Sequence, residues 1–326
     1  MKINRYKKRS KPITFHLLQP NLFFTFSANY QLNKFLLTFA NVIMLANNPL
    51  TPQHFSINCS GKLLSLNQPV VMGILNLTPD SFFDGGKYNS VDSALFKAEK
   101  MLKEGASIID VGGYSSRPGA VEISQEEELK RVIFIIEALK STFPESIFSI
   151  DTFRASVASE AIHAGASLVN DISAGDDDPD MIATIAKLKV PFVAMHKQGM
   201  PKNMQLNPRY NEVTTDVLDY FIRKIPILRQ AGIIDILIDP GFGFGKSLQH
   251  NYELLKNLSA FKMLDCPILV GMSHKSMVSE ALNISKNETL NGTTVVNTIA
   301  LMNGANVLRV HDVKEAVEAV KIMLNL

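Results

Sequence analysis

A chain of 326 residues, 46% of them hydrophobic, can bury a full core; that length suits either two domains or one α/β barrel. A formal net charge of +2 provides no global attraction to nucleic acid or to a membrane surface. Two cysteines, Cys59 and Cys266, exclude a disulfide framework and fit a reduced, cytoplasmic compartment.

The charge is unevenly distributed. No Asp or Glu precedes Asp80, while Lys2, Arg5, Lys7, Lys8, Arg9 and Lys11 crowd the start. The apolar stretch Phe35-Leu36-Leu37-Thr38-Phe39-Ala40 is flanked by Asn33, Asn41 and Asn47. It falls short of the ~20 residues that span a bilayer. An acid-poor, basic leader also suits a transit peptide. The simpler assignment is an extension, residues 1–54, outside the fold, with Met44 offering a start and one domain over residues 55–326.

From Pro69 onward, short apolar runs alternate with helical patterns. The runs are 70–75, 107–111, 147–150, 167–169, 191–194, 234–238, 268–271 and 306–310. They are rich in Ile and Val and lack strict alternation, as strands buried on both faces do. The first helix, 91–104, places Leu95, Ala98, Met101 and Leu102 on one face and stops at Gly105. Ser124 with Glu127 predicts a capping box for a helix over 126–140. Asp178 before Pro179 predicts an N-cap and an N1 proline, and Asp312 with Glu315 a similar start to the last helix. Pro226 predicts a kink or break in the helix over 211–230. Gly105-Ala106-Ser107, Gly165-Ala166-Ser167 and Gly304-Ala305-Asn306 each close a helix and enter a strand, and Gly232-Ile233 nearly repeats this. Eight strand–helix units predict an α/β fold, a single (β/α)₈ TIM barrel with its active site at the C-terminal ends of the strands. A doubly wound open sheet is the alternative.

Each predicted strand hands over to polar residues at that same end. In chain order these include Asn76, Ser115-Ser116-Arg117, Asp151, Asn170-Asp171, His196, Asp239, Ser273-His274-Lys275 and Arg309-Val310-His311-Asp312. Any one of them has a structural explanation, as a helix cap, a solvated lysine or a satisfied histidine. Eight at one rim do not, because structural roles would scatter over both ends. Asp151, Asn170 and Asp239 suit the hydrogen-bonding edge of a flat heterocycle such as a pterin. Arg309 and His311, with Asn76 across the closure, suit a phosphate or diphosphate. The amide oxygen of Asn76 can ligate Mg²⁺, which keeps waters and leans on substrate phosphates.

The glycine-rich run 239–246 matches neither nucleotide motif. A Walker loop needs glycine at Pro240, and a dinucleotide fingerprint needs it at Lys246. Its glycines instead suit close approach of the backbone to a bound ring.

The segments 76–86, 110–120, 149–152, 170–172, 239–246, 273–276 and 309–313 together resemble dihydropteroate synthase, a family of pterin-binding enzymes, from about Phe55 to the end. The resemblance implies a transferase, of an alkyl group other than methyl, acting in folate synthesis. Its substrates would be 6-hydroxymethyl-7,8-dihydropterin diphosphate and p-aminobenzoate, and its products 7,8-dihydropteroate and diphosphate. It implies pterin contacts at Asp151, Asn170, Asp239 and Lys275, a Mg²⁺–diphosphate site at Asn76, Arg309 and His311, and Val310 as a further substrate-binding residue. Ser116, Arg117, Pro118, Phe82 and Ser276 resemble the loops that close over p-aminobenzoate. Asp151, Lys275, Arg309 and His311 would carry catalysis, and a homodimer is implied.

The match has departures. Tyr114 stands where the second loop often has Glu, Ser116 where Thr is commoner, and His274 where Arg is usual. His274 would replace a permanent charge near the p-aminobenzoate mouth by a titrating one. Two other readings compete: a methyltetrahydrofolate-dependent methyltransferase, and a silent pterin-binding paralogue. The Arg-Val-His and Ser-Arg-Pro-Gly segments favour the synthase over the first, and the intact charged set favours it over the second.

Overall fold

The computed structural model describes residues 54–77, 87–114, 123–199, 204 and 207–326. The N-terminal basic segment lies outside the described residues. A hairpin of β1 (Ser56–Cys59) and β2 (Lys62–Ser65) comes first. Its two-residue turn, Ser60 and Gly61, has φ of 53° and 93°, the positive pair that matches the twist of a tight hairpin. This hairpin is absent from the expected elements, although Ser-Gly between polar–apolar alternations is a turn signal.

Then β3 (Val70–Asn76), β4 (Ile108–Gly112), β5 (Ile147–Asp151), β6 (Leu168–Asp171), β7 (Phe192–Met195), β8 (Ile236–Asp239), β9 (Leu269–Val270) and β10 (Val307–Val310) follow. Between and after them run α1 (Lys87–Glu104), α2 (Gln125–Thr142), α3 (Ala155–His163), α4 (Met181–Leu188), α5 (Val213–Gln230), α6 (Leu248–Lys256), α7 (Ser276–Leu282), α8 (Leu290–Met302) and α9 (Val313–Met323). The eight strands are parallel in the order β8-β7-β6-β5-β4-β3-β10-β9. A bridge between Ile238 and Ile268 joins the two ends, with the Ile238 N–H donating to the Pro267 carbonyl at 2.9 Å. The sheet is a (β/α)₈ barrel, as the repeated units predict.

Side chains alternate along a strand, and the barrel uses that period to separate stability from chemistry. Met72, Ile108, Ile147, Leu168, Val193, Leu237, Leu269 and Val307, one from each strand, form a buried apolar plug. Ile57, Cys59 and Leu66 of the hairpin segment join the same cluster. The Asn58 N–H donates to Asp235 at 2.8 Å just before β8, which seats the hairpin on the floor. Two residues further along, the same face carries Asp110, Ser149, Asn170, Asp239 and Arg309. The intervening residues, such as Val71, Ile109, Ile150 and Leu308, face the helices and belong to a second, larger core.

Several local expectations are corrected. The strand after α5 begins at Ile236, and Ile234 is 87% exposed. Pro226 does not break its helix: α5 runs through it from Val213 to Gln230, forgoing only the hydrogen bond its missing N–H would make. Helix α4 is assigned from Met181, and Asp178 caps the turn that leads into it, its Oδ1 accepting the Asp180 N–H at 3.0 Å past Pro179, while its Oδ2 accepts the Ala155 N–H at 2.7 Å and so serves the start of α3 as well. Ser124 does cap α2, accepting from the Glu127 N–H. Asp312 precedes α9 but makes no side-chain cap, because its carboxylate is engaged by His274. The glycines that close α1, α3, α5 and α8 all have positive φ, from 99° to 120°, the conformation that ends a helix most cheaply in glycine. No helix among the described residues is long and apolar enough to cross a membrane.

Candidate active site

Strand register aligns the rim. Asn76 pairs with Gly112, Gly112 with Asp151, and Asp151 with Asn170. Gly112 contributes no side chain between its neighbours. A Cβ there would sit 3.5 Å from Asn76 Oδ1 and 3.7 Å from Asp151 Oδ2. The two oxygens therefore border one small gap.

One layer lower, Asp110 is fully buried and binds two partners through one oxygen. Arg309 Nε donates to Asp110 Oδ2 at 2.6 Å, and Asn170 Nδ2 donates to the same oxygen at 3.0 Å. Arg309 Nη2 reaches Asp151 Oδ2 at 2.5 Å. The sequence separates a pterin slot (Asp151, Asn170) from a diphosphate corner (Arg309), but the structure ties them together through the guanidinium. Asp110 was missed as a site residue. The available signal was a carboxylate inside the apolar run Ile108-Ile109-Asp110-Val111, which is costly unless paired. Asp110 Oδ1 and the Oγ of Ser149, its neighbour in register, have no hydrogen-bond partner among the described residues, so this layer keeps hydrogen-bonding capacity.

Burial raises the Asp151 carboxyl well above the usual carboxylate range, the Asp110 charge adding to this while Arg309 opposes it. Burial likewise raises Asp239, with Lys275 opposing. The Lys275 ammonium is lowered to about 8 by burial, against the pull of Asp239. These opposed shifts in neighbouring groups are the electrostatic mark of a functional rim.

The β8 loop folds over this set. Asp239 Oδ1 accepts the Gly241 N–H at 2.7 Å, and Lys275 Nζ donates to the Phe242 carbonyl and lies 4.5 Å from the Phe244 ring centre. Gly241 has φ of 73°, and a Cβ there would fall 1.8 Å from the His196 carbonyl oxygen. Gly241 and Gly245 are thus needed for close approach to the backbone after β7, a Cβ at Gly245 falling 2.2 Å from the Gln198 carbonyl oxygen. Lys246, the residue that spoils the dinucleotide motif, is buried and donates to the Gly241 and Phe244 carbonyls at 2.9 and 3.2 Å. Its Nζ also lies 3.0 Å from His196 Nδ1, and burial lowers its ammonium to about 7. Lys246 is a second group the site assignments missed.

At the other side, Ser273 Oγ lies 3.0 Å from His311 Nδ1 and accepts the His311 N–H at 3.2 Å. Val310 alternates outward into the helix-facing core, so its side chain does not reach the rim. Ser276 begins α7 and is exposed. Both ring nitrogens of His274 are engaged, 2.7 Å from Thr289 Oγ1 and 2.7 Å from Asp312 Oδ2. The expected aryl-carboxylate role has no free ring nitrogen here. Tyr114 stacks edge-on to Phe153 at 5.3 Å. Phe82, Ser116, Arg117 and Pro118 lie outside the described residues. No cluster of three or more His, Cys, Asp or Glu able to hold a metal occurs among the described residues.

A (β/α)₈ barrel with paired carboxylates, an amide and three cations on its C-terminal rim defines an enzyme for a polar, anionic small molecule. Residues 72–311 match the family model described as pterin binding enzyme. Dihydropteroate synthase of Escherichia coli strain K12 is 48% identical over 265 residues, 81% of this chain and 93% of that protein. A crystal structure of Yersinia pestis dihydropteroate synthase with a sulfonamide drug superposes with a TM-score of 0.78 at 47% identity, covering 83% of this chain and 98% of that one. Xanthomonas albilineans dihydropteroate synthase in complex with 7,8-dihydropteroate gives 0.75 at 36% identity, with 83% and 98% covered. The chain belongs to the dihydropteroate synthase family of pterin-binding enzymes.

Proposed function

We propose that this rim joins 6-hydroxymethyl-7,8-dihydropterin diphosphate to p-aminobenzoate, forming 7,8-dihydropteroate and releasing diphosphate. The carrying observation is Arg309, held by Asp110 and Asp151 next to Asn170 and within one rim of Asn76 and His311. That arrangement offers a pterin edge acceptors and an amide, and a leaving diphosphate a guanidinium and an imidazole.

In this reading the C–O bond to diphosphate breaks largely ahead of attack. Arg309 and His311 stabilise negative charge growing on the leaving group. Asp151, and at greater distance Asp239, stabilise the methylene cation. The aryl amine attacks in a geometry set by the loops, so no side-chain nucleophile is needed.

Mg²⁺ would be held by the Asn76 amide oxygen and by substrate phosphate oxygens, and when bound would supply further charge neutralisation. The gap left by Gly112 beside Asn76 Oδ1 and Asp151 Oδ2 supports this, being a cradle that a Cβ would fill.

The finer assignments are homodimerisation and a cytoplasmic location. Leu290, Val295, Ile299 and Met302 of α8 with Ile322 of α9 expose apolar surface that a second copy would cover. Sedimentation equilibrium at working concentration tests that, a monomer overturning it. For the location, the support is compositional: the two cysteines, Cys59 and Cys266, are both free and buried, with no disulfide framework. The barrel domain, residues 55–326, is proposed to suffice for the reaction. Equal turnover by a chain of residues 55–326 alone would support this, and loss of turnover by a folded chain of that length would overturn it.

The decisive experiment mixes both substrates with Mg²⁺ and follows diphosphate. Release that requires p-aminobenzoate is expected. Methyl transfer instead, or pterin binding with no release, would overturn the assignment.

A further inference from the structure

His274 occupies an unusual place in the chain. Its φ is 52°, in the left-handed region that costs a non-glycine residue about 1 kcal/mol or more and survives where surroundings over-determine it. Three contacts do so. The His274 N–H donates to Thr293 Oγ1 at 3.2 Å, and its two ring nitrogens meet Thr289 Oγ1 and Asp312 Oδ2. Thr289 and Thr293 are buried, on the residue before α8 and in its first turn, and Asp312 precedes α9.

The residues on either side of His274 both serve the rim, in different directions. Ser273 turns to His311. Lys275 turns to Phe242 and the Phe244 ring. An ordinary extended or helical residue at 274 would not deliver that pair of directions, because the backbone between them reverses hand at this point. The unused cap of Asp312 is explained as well: its carboxylate is spent on the imidazole rather than on α9.

We propose that His274 is a positioning residue, locked by Thr289, Thr293 and Asp312 into a left-handed turn that aims Ser273–His311 and Lys275 at the diphosphate and pterin ends of one substrate. The inference rests on the function proposed above for that rim. It replaces the sequence expectation of a charge at the p-aminobenzoate mouth.

The test compares wild type with His274→Gly, Asp312→Ala and the double variant. Glycine accepts the left-handed φ but abandons both ring contacts, so conformation and anchoring separate. The readouts are melting temperature, kcat and KM for the diphosphate substrate, and the pH dependence of Lys275 trace acetylation, read by peptide mass. Folded His274→Gly is expected to lose ~10–100-fold in kcat/KM, the scale of sub-ångström to ångström misplacement. Its Lys275 acetylation midpoint should move from about 8 towards the ordinary lysine value. Asp312→Ala, which removes a partly exposed side chain, should show the same signature, and the double variant should be no worse than the poorer single, since both break one device. Unchanged kinetics and unchanged Lys275 acetylation in either folded variant would overturn the proposal, as would additive losses. If wild type itself releases no diphosphate, the functional assignment fails, while the acetylation profile still decides whether His274 sets Lys275.

Discussion

Arg309 Nη2 and Asp151 Oδ2 meet at 2.5 Å across the mouth of the barrel, joining its last strand to its third parallel strand. The contact is shared: the Nε of the same guanidinium holds the fully buried Asp110 at 2.6 Å. A lysine has one compact ammonium and cannot satisfy two carboxylates in a fork. Arg309→Lys is expected to destabilise the protein by about 3 kcal/mol, the scale for removing one partner of a buried pair. Urea unfolding measures it, and a loss below about 1 kcal/mol would show that the pairing is not structural.

Asp151→Asn keeps the size of the side chain and removes its charge. Turnover should fall ~100-fold, the scale of losing one charge aimed at the transition state. The KM for the diphosphate substrate should change far less. Steady-state kinetics with p-aminobenzoate saturating would check the split, and unchanged kcat would remove the cation-stabilising role.

Burial lowers the Lys275 ammonium to about 8, from the 10.5 of an ordinary lysine. Activity that uses the ammonium should therefore decline as pH rises through about 8. In Lys275→Arg, which stays charged, that alkaline limb should vanish even if the maximum is lower. The stability linkage has a definite sign. The folded pKa is depressed, so between about 8 and 10.5 the unfolded chain binds the extra proton, and raising pH favours folding. Wild type should thus gain stability relative to Lys275→Arg across that window. A constant difference between the two from pH 7 to pH 11 would count against a buried ammonium.

Gly112→Ala tests the gap between Asn76 and Asp151. The added methyl would make ordinary contacts of 3.5 to 3.7 Å with both side chains. The melting temperature should hold or rise slightly, since alanine restricts the unfolded chain by about 0.5 kcal/mol. The Mg²⁺ concentration for half-maximal turnover should rise several-fold. An unaltered Mg²⁺ requirement would place the ion elsewhere.

The barrel was legible because its evidence is local. Eight Ile/Val-rich runs and the helix-closing glycines at 105, 165, 232 and 304 specify strand, helix and turn within a few residues each. The alternation within a strand also carries Asp151, Asn170, Asp239 and Arg309 to one end. The hairpin at 56–65 escaped notice because its strands are short, although the Ser60-Gly61 turn marks it. Asp312 differs from expectation for another reason. It has a cap-forming sequence context, but its carboxylate meets a partner that only the tertiary structure supplies, the His274 imidazole.

By itself, then, the sequence determined the order of elements, the end of the barrel that carries the chemistry, and the residue types gathered there. Tertiary structure decided which of those charges pair. Asp110 lies 199 residues from Arg309 and Asp151 lies 158, separations that no periodicity spans. Closure of the sheet brings them within hydrogen-bonding distance, and burial there makes the pairing obligatory. Only that closure shows Arg309 binding both parts of the rim, Val310 facing away from it, and His274 holding the turn between Ser273 and Lys275.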